Sequence, residues 1–351
     1  MKKIKLTEFK KILINQTAFI GDVVLTLNLA QQIKKLHPHC ILHFLTTPVS
    51  HEIPKLLKEI DKVIVFDKRG IYAGLKGIKN FSEILRKEKY DCIISPHRSL
   101  RSTLINYFAK PKFSVSFDKS AFSLLYSRRI EYKYNFHEID RNISLLTCFS
   151  EFNQNLPIEV SLNLQFSSEI IAKIDLIIQE NINYKNRIIV LAPGSVWETK
   201  RWAKENFAEL AKMLLKNDFE VLLIGGEADK EICDFIASAT GATNLVGKTS
   251  ISETIYLISK TTLIVTNDSA PIHFAGLSNT PTIAIFGPTI PGFGFAPRTK
   301  GSIVIENHNL KCRPCGIHGG KSCPIKTHEC MTSISPKLVL EKIKSLNSVL
   351  K

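Results

Sequence analysis

Two short segments in the second half of the chain gather residues that can hold a diphosphate. The first is Pro193-Gly194-Ser195-Val196-Trp197-Glu198-Thr199-Lys200-Arg201-Trp202. Its backbone N–H groups and the hydroxyls of Ser195 and Thr199 can bind phosphate oxygens, while Lys200 neutralises charge on a leaving group. The competing reading is a solvated loop with Trp202 tucked into a core. The second segment is Asn267-Asp268-Ser269-Ala270-Pro271-Ile272-His273. Asp268 and Ser269 suit the cap of a short helix, and the N–H groups there, Ala270 included, favour an anion. His273 taken alone reads more readily as a core histidine than as a ligand. A third turn, Phe286-Gly287-Pro288-Thr289, follows another apolar run.

Near the start, Asn15-Gln16-Thr17-Ala18-Phe19-Ile20-Gly21-Asp22 leads into an apolar stretch from Val23 to Leu36. Asp22 can cap that helix, where the helix dipole stabilises it, or act as a general base. Pro96-His97-Arg98-Ser99-Leu100-Arg101-Ser102 places two arginines after a further apolar run. Arg98 and Arg101 can pair with carboxylates or phosphates, or simply open a solvated helix. The set Cys312, Cys315, Cys323 and Cys330 has spacing compatible with a tetrahedral metal site and also with reduced structural thiols. No metal is expected, and these four are the weak candidates if one binds.

The elements that must position these residues are short apolar runs alternating with segments of helical period, the pattern of βα units on parallel sheets. Strands are expected over Lys11–Asn15, Ile41–Thr46, Lys62–Phe66, Asp91–Ser95 and Phe113–Phe117, with helices over Val23–Leu36, Ile78–Lys87 and Arg101–Phe108. A less regular middle runs from Ser120 to about Ser168. The alternation then restarts, with strands over Arg187–Ala192, Glu220–Gly225, Asn244–Val246, Leu263–Thr266 and Thr282–Phe286. Helices between them are expected over Lys204–Lys216, Lys230–Ser238, Ser250–Ser259 and Pro271–Gly276, the third opened by the capping box Ser250-x-x-Glu253. The fold class is therefore α/β, with two Rossmann-like domains over residues 1–168 and 169–335. A C-terminal helix (336–351) is expected to pack back on the first domain. In open α/β sheets ligands bind beyond the carboxyl ends of the strands. Every segment singled out above, the cysteine set apart, lies there.

The 351 residues carry 47 Lys+Arg against 32 Asp+Glu, a net charge of +15. That excess suits a polyanionic partner: nucleic acid, an anionic membrane surface or a phosphorylated substrate. No zinc-finger spacing, RNP-type aromatic motif or helix-turn-helix signature supports nucleic acid. No apolar run is long enough to span a membrane, and Asn15, Gln16 and Asp22 interrupt what a signal peptide would need. The chain is expected in the cytoplasm, at most peripheral to a membrane, with its cysteines mostly reduced. G-x-G-x-x-G is absent after every strand. Ala242 to Thr249 falls one residue short of a P-loop and reads as a buried strand.

Taken together and in this order, Gly21-Asp22-Val23-Val24, Pro193-Gly194-Ser195 with Lys200-Arg201-Trp202, Asn267-Asp268-Ser269-Ala270-Pro271-x-His273 and Phe286-Gly287-Pro288-Thr289 resemble glycosyltransferase family 9, the lipopolysaccharide heptosyltransferases. His137-Glu138-x-Asp140-Arg141-Asn142 looks like that family's segment near the domain junction, and the C-terminal cysteines resemble the heptosyltransferase II-like members. The resemblance implies a GT-B architecture, two Rossmann-like domains facing an interdomain cleft. It implies inverting, metal-independent transfer from an ADP-sugar, with no cofactor. The acceptor implied is an anionic lipid A–Kdo-type molecule at the cytoplasmic face of the inner membrane.

In that reading Asp22 is the catalytic base and Lys200 the diphosphate-binding lysine, with Ser195 and Thr199 beside it. Asp268, Ser269, Ala270 and His273 form the donor-binding turn, Glu227 falls near the ribose, and Arg98 and Arg101 face the acceptor. No Asp-x-Asp motif occurs, in keeping with metal independence. Two alternatives share the architecture: a nucleotide-sugar epimerase and a non-catalytic sugar-nucleotide sensor.

Overall fold

Short runs such as Ile12-Leu13-Ile14 and Ile189-Val190-Leu191 are wholly buried, as strands covered on both faces require. In the computed structural model, which describes residues 4–153, 161–182 and 187–347, the chain divides into two compact units, one ending at Gln165 and the other starting at Phe166. The break falls three residues before the expected one (165 against 168) for a local reason. The Gln165 N–H donates to the Leu56 carbonyl at 2.8 Å. Phe166 instead packs its ring 5.0 Å from Tyr256, and Ser167 caps the helix that follows.

The first unit contains β1 (Lys11–Asn15), α1 (Ile20–Leu36), β2 (Ile41–Thr46), α2 (Glu52–Lys55), β3 (Lys62–Val65), α3 (Gly74–Lys87), β4 (Cys92–Ser95), α4 (Leu100–Ala109), β5 (Phe113–Phe117), β6 (Arg128–Ile130) and α5 (Glu138–Ser144). Its strands pair in parallel in the order β3-β2-β1-β4-β5-β6. Ser99 caps α4 by accepting the Ser102 N–H, and Lys110 in left-handed conformation ends it. The short strand β6 and the helix α5 lie in the stretch expected to be irregular.

The second unit contains α6 (Ser168–Asn181), β7 (Arg187–Ala192), α7 (Lys204–Leu215), β8 (Phe219–Leu223), α8 (Lys230–Thr240), β9 (Thr243–Asn244), α9 (Ile251–Ser259), β10 (Leu263–Asn267), α10 (Pro271–Leu277), β11 (Thr282–Phe286), β12 (Ile303–Glu306), α11 (Glu329–Thr332) and α12 (Pro336–Asn347). The order is β12-β11-β10-β7-β8-β9, again all parallel. The capping box forms at α9, where the Ser250 N–H donates to Glu253 at 2.7 Å. The P-loop look-alike contains β9.

One expectation is corrected. The C-terminal helix α12 does not belong to the first domain. Its Val339, Ile343 and Leu346 join the core of the second unit with Trp202, Phe207 and Met331. An amphipathic period fixes that a helix has an apolar face, not which surface the face covers.

Counted from its own first strand, each sheet has the full Rossmann order 3-2-1-4-5-6, so each has one point where the strand order reverses. In the first unit it lies between β1 and β4, and in the second between β7 and β10.

Candidate functional site

In the first unit Asp22 stands in the opening turn of α1, directly after β1. Its carboxylate accepts the Phe19 N–H at 3.2 Å, so it does cap the helix. A cap alone would lower the pKa of a carboxyl group. Burial wins here and pushes it up to about 6, against the Phe19 N–H and the charges of Arg98 and Lys68.

On the other side of the reversal point, the loop after β4 supplies His97 and Arg98, and the first turn of α4 supplies Arg101. His97 Nδ1 lies 3.0 Å from Thr17 Oγ1 and 2.9 Å from Ser102 Oγ. Burial and the neighbouring cations Lys68, Arg98 and Arg101 push its pKa down to about 4, leaving a neutral imidazole. Lys68, from the loop after β3, donates to the Thr17 carbonyl at 2.6 Å. Arg98 stacks its guanidinium 3.9 Å from the centre of the Tyr132 ring. The loops thus form a concentration of positive charge around one carboxylate.

Behind this group lies a buried pair. Arg141 donates to Glu138 at 2.6 Å, to the Tyr132 hydroxyl at 2.9 Å and to two backbone carbonyls. Burial first, and then the charge of Asp22, raise the Glu138 pKa to about 7. The helix α5 is bolted to α1 one turn from Asp22: Asn142 donates to Thr26 Oγ1 at 3.2 Å, and Thr26 donates to the Asp22 carbonyl at 2.7 Å. Lys68, His97, Tyr132 and Glu138 were not singled out for the site from sequence, although Glu138 lies in the segment 137–142 that carries the resemblance.

In the second unit the loops after β7 and β10 meet at the reversal point. Asn267 holds them together. Its Nδ2 donates to the Pro193 carbonyl at 2.8 Å and its Oδ1 accepts the Trp202 N–H at 3.1 Å. Ser269 Oγ donates to the Gly194 carbonyl at 3.2 Å. Lys200 Nζ donates to Asp268 Oδ2 at 2.5 Å, and Thr289 Oγ1 donates to the same oxygen at 2.6 Å. Thr289 brings in the third loop, the one after β11. Ser195 is buried, its Oγ accepting the Trp197 N–H at 3.3 Å. Ala270 precedes α10. His273, within α10, is buried, and desolvation lowers its pKa to about 4.

Glu227 is exposed in the turn after β8. Its neighbour Asp229 accepts the Gly226 N–H at 2.9 Å. A Cβ on Gly194 would sit 2.3 Å from the Asp229 carboxylate, so a larger residue there would fit only if that carboxylate moved.

Thr199 is placed differently from a free donor ligand. Its Oγ1 donates to the Gly320 carbonyl at 3.2 Å and accepts the Gly320 N–H at 2.8 Å. Its carbonyl meets His328 Nε2 at 2.8 Å. Thr199 therefore anchors the cysteine-rich loop to the Lys200 turn. Of the four cysteines there, Cys312 and Cys315 are exposed and Cys330 is buried. Cys315, Cys323 and Cys330 line a small cavity with His318 and His328. Among the described residues no three His, Cys, Asp or Glu side chains converge as a metal would need.

Comparison with known proteins fits this layout. Residues 78–322 match the model of glycosyltransferase family 9 (heptosyltransferase). Lipooligosaccharide heptosyltransferase 2 of Haemophilus influenzae is 27% identical, over 95% of this chain and 99% of its own. The solved glycosyl transferase family 9 protein of Veillonella parvula superposes with a TM-score of 0.83 at 20% identity, over 98% of each chain. The ADP-heptose lipopolysaccharide heptosyltransferase II of Escherichia coli does so with 0.78 at 23% identity, over 96% of this chain and 98% of that one. The α/β fold expected from the sequence, two Rossmann-like units of the GT-B class, is the fold of these proteins.

Proposed function

Since the chain belongs to glycosyltransferase family 9, we propose that it is a glycosyltransferase that moves a heptosyl residue from ADP-heptose onto the inner core of lipopolysaccharide. The family's heptosyltransferase 2 members, alike over almost their whole length, support the sugar and the acceptor class. The observation that carries the mechanism is Asp22, a carboxylate at the reversal point of the first sheet with a pKa raised to about 6 among cations. Such a group is ionised at neutral pH and still basic enough to take a proton. A donor sensor would need nothing titratable at that position.

The transfer is a single displacement. An acceptor hydroxyl gives its proton to Asp22 as its oxygen bonds to the anomeric carbon. The bond from that carbon to the diphosphate oxygen breaks, and ADP departs with the electron pair, which inverts the anomeric centre. Lys200 has three N–H donors. One is held by Asp268, which leaves others for the departing diphosphate.

Ser195, Ser269 and Ala270 line the diphosphate, and neutral His273 offers one ring N–H beside it. Glu227 meets the ribose. Arg98 and Arg101 pair with carboxylates and phosphates of a lipid A–Kdo-type acceptor, whose position places the protein peripherally at the cytoplasmic face of the inner membrane. Charge stabilisation by Lys200 and backbone N–H groups drives the departure, without metal or cofactor. Mass spectrometry of lipopolysaccharide from a deletion strain tests this reading. A core truncated before a heptose is the expected result, and an unchanged core would refute it.

A further inference from the structure

The loop between β5 and β6 displays its apolar side chains outward. Phe122 is 66% exposed and Leu124 79%, with Leu125 also exposed. A soluble surface scatters such residues singly, and three within four positions mark an interaction site. The loop is braced, so this exposure is built in. The Ala121 N–H donates to the Arg98 carbonyl at 3.0 Å, and Thr103 Oγ1 donates to the Ala121 carbonyl at 2.7 Å. Ser116 and Ser120 share a hydrogen bond of 2.7 Å at its base. Phe122 is held at φ 49°, a conformation that a bulky residue adopts only when its surroundings impose it. On α4 beneath, Leu100 and Tyr107 are exposed on the same face as Thr103, which extends the apolar area.

The surrounding charge is one-sided. Between Pro96 and Lys133 there are eight lysines and arginines against two acids, Asp118 and Glu131. Asp118 is already occupied, accepting the Tyr132 N–H at 2.9 Å. Lys119 and Arg129 flank the apolar tip and are exposed. Apolar side chains ringed by cations match an anionic bilayer surface, where the former enter the acyl boundary and the latter meet headgroup phosphates. A soluble protein partner would need acids set around an apolar pocket to complement this tip.

We propose that the β5–β6 loop is the membrane-docking element of this protein, with Phe122, Leu124 and Leu125 entering an anionic bilayer and Lys119 and Arg129 at its headgroups. The inference rests on the reading of the acceptor as a lipid. Because β4 and β5 are adjacent and Ala121 bonds to Arg98 itself, docking here brings Arg98 and Arg101 to the headgroup plane. Binding would then hold the acceptor-facing loop where a lipid-anchored sugar lies.

The test is sedimentation with vesicles of phosphatidylethanolamine and phosphatidylglycerol, and with phosphatidylcholine vesicles for comparison. Four proteins are compared: the wild type, the triple variant F122S/L124S/L125S, the charge variant K119E/R129E, and L176S, which removes an exposed leucine of the second unit. The wild type and L176S should bind the anionic vesicles. Both loop variants should bind them about ten-fold or more weakly, with unchanged melting temperatures. If the triple variant does not fold, the charge variant decides.

Wild-type binding by both loop variants, or equal binding of the wild type to neutral vesicles, overturns the proposal. So does a wild-type dimer that the triple variant splits while no vesicle is bound, since a second copy then covers the loop. On a soluble, deacylated acceptor the triple variant should match the wild type in transfer rate. Failure of the wild type on that acceptor would defeat the transfer reading and leave the vesicle result to stand by itself.

Discussion

Lys200 and Asp268 form an ion pair at 2.5 Å, both side chains nearly buried, at the meeting of the β7 and β10 loops. Thr289 donates to the same carboxylate oxygen, so Asp268 holds the ammonium group in one place, where the proposed diphosphate would meet it. Replacing Lys200 with alanine removes a cation and also leaves the Asp268 charge facing the phosphates. Binding of ADP to Lys200→Ala should weaken by about 1.5–3 kcal/mol, the range for a charge-assisted hydrogen bond. Titration calorimetry reads this directly, and equal affinity would remove Lys200 from the donor site.

Asp22 should cost the protein stability at the pH where it works. Its folded-state pKa is about 6, above the ordinary carboxyl value. The folded protein therefore keeps this proton to higher pH than the unfolded chain. The associated stability is complete below the unfolded pKa and lost as pH rises through 6. An asparagine at this position has no charge to desolvate and can still accept the Phe19 N–H. Asp22→Asn should therefore raise stability by about 1–3 kcal/mol at pH 8, with the gain shrinking toward pH 4. Thermal melts at the two pH values decide it, and a variant less stable at pH 8 contradicts the burial argument.

Arg98 stacks on Tyr132, and in the proposed transfer its guanidinium group meets an anion of the acceptor. Removing it should raise the acceptor KM by about ten- to a hundred-fold, the equivalent of one charge-assisted bond, with the KM for ADP-heptose unchanged. Steady-state kinetics with each substrate varied in turn separate the two. A rise in the donor KM alone would assign Arg98 elsewhere.

Gly194 and Asp229 test the loop architecture. A Cβ at 194 would overlap the Asp229 carboxylate, so Gly194→Ala should weaken ADP binding by displacing the loop. The double variant Gly194→Ala/Asp229→Ala should recover most of it. If the single variant binds ADP normally, the contact does not shape the site.

Much of this was legible in the sequence, for a physical reason. Asp22, Ser195, Lys200, Asp268 and Ser269 each follow a buried apolar run closely, and a parallel sheet puts all such positions on one edge. What was missed depends on pairing across the fold. Glu138 matters through Asp22 and Arg141, and Lys68 through the Thr17 carbonyl, and neither relation leaves a local pattern. Thr199 carries the right hydroxyl in the right segment, yet Gly320 takes it. The strand β6, with two arginines in three residues, has no apolar run to reveal it. The period of α12 showed its buried face but not that Phe207 and Trp202 would be its partners.

The most direct test of the account is transfer itself. The purified protein is given ADP-heptose and a deacylated inner-core acceptor, with product mass and ADP release followed across pH. The wild type should add one heptosyl residue per ADP released, with kcat/KM rising through an apparent pKa near 6, that of Asp22. Asp22→Asn should lower kcat by at least about 100-fold while binding ADP as the wild type does. No transfer by the wild type, or most of the turnover surviving in Asp22→Asn, would contradict the account.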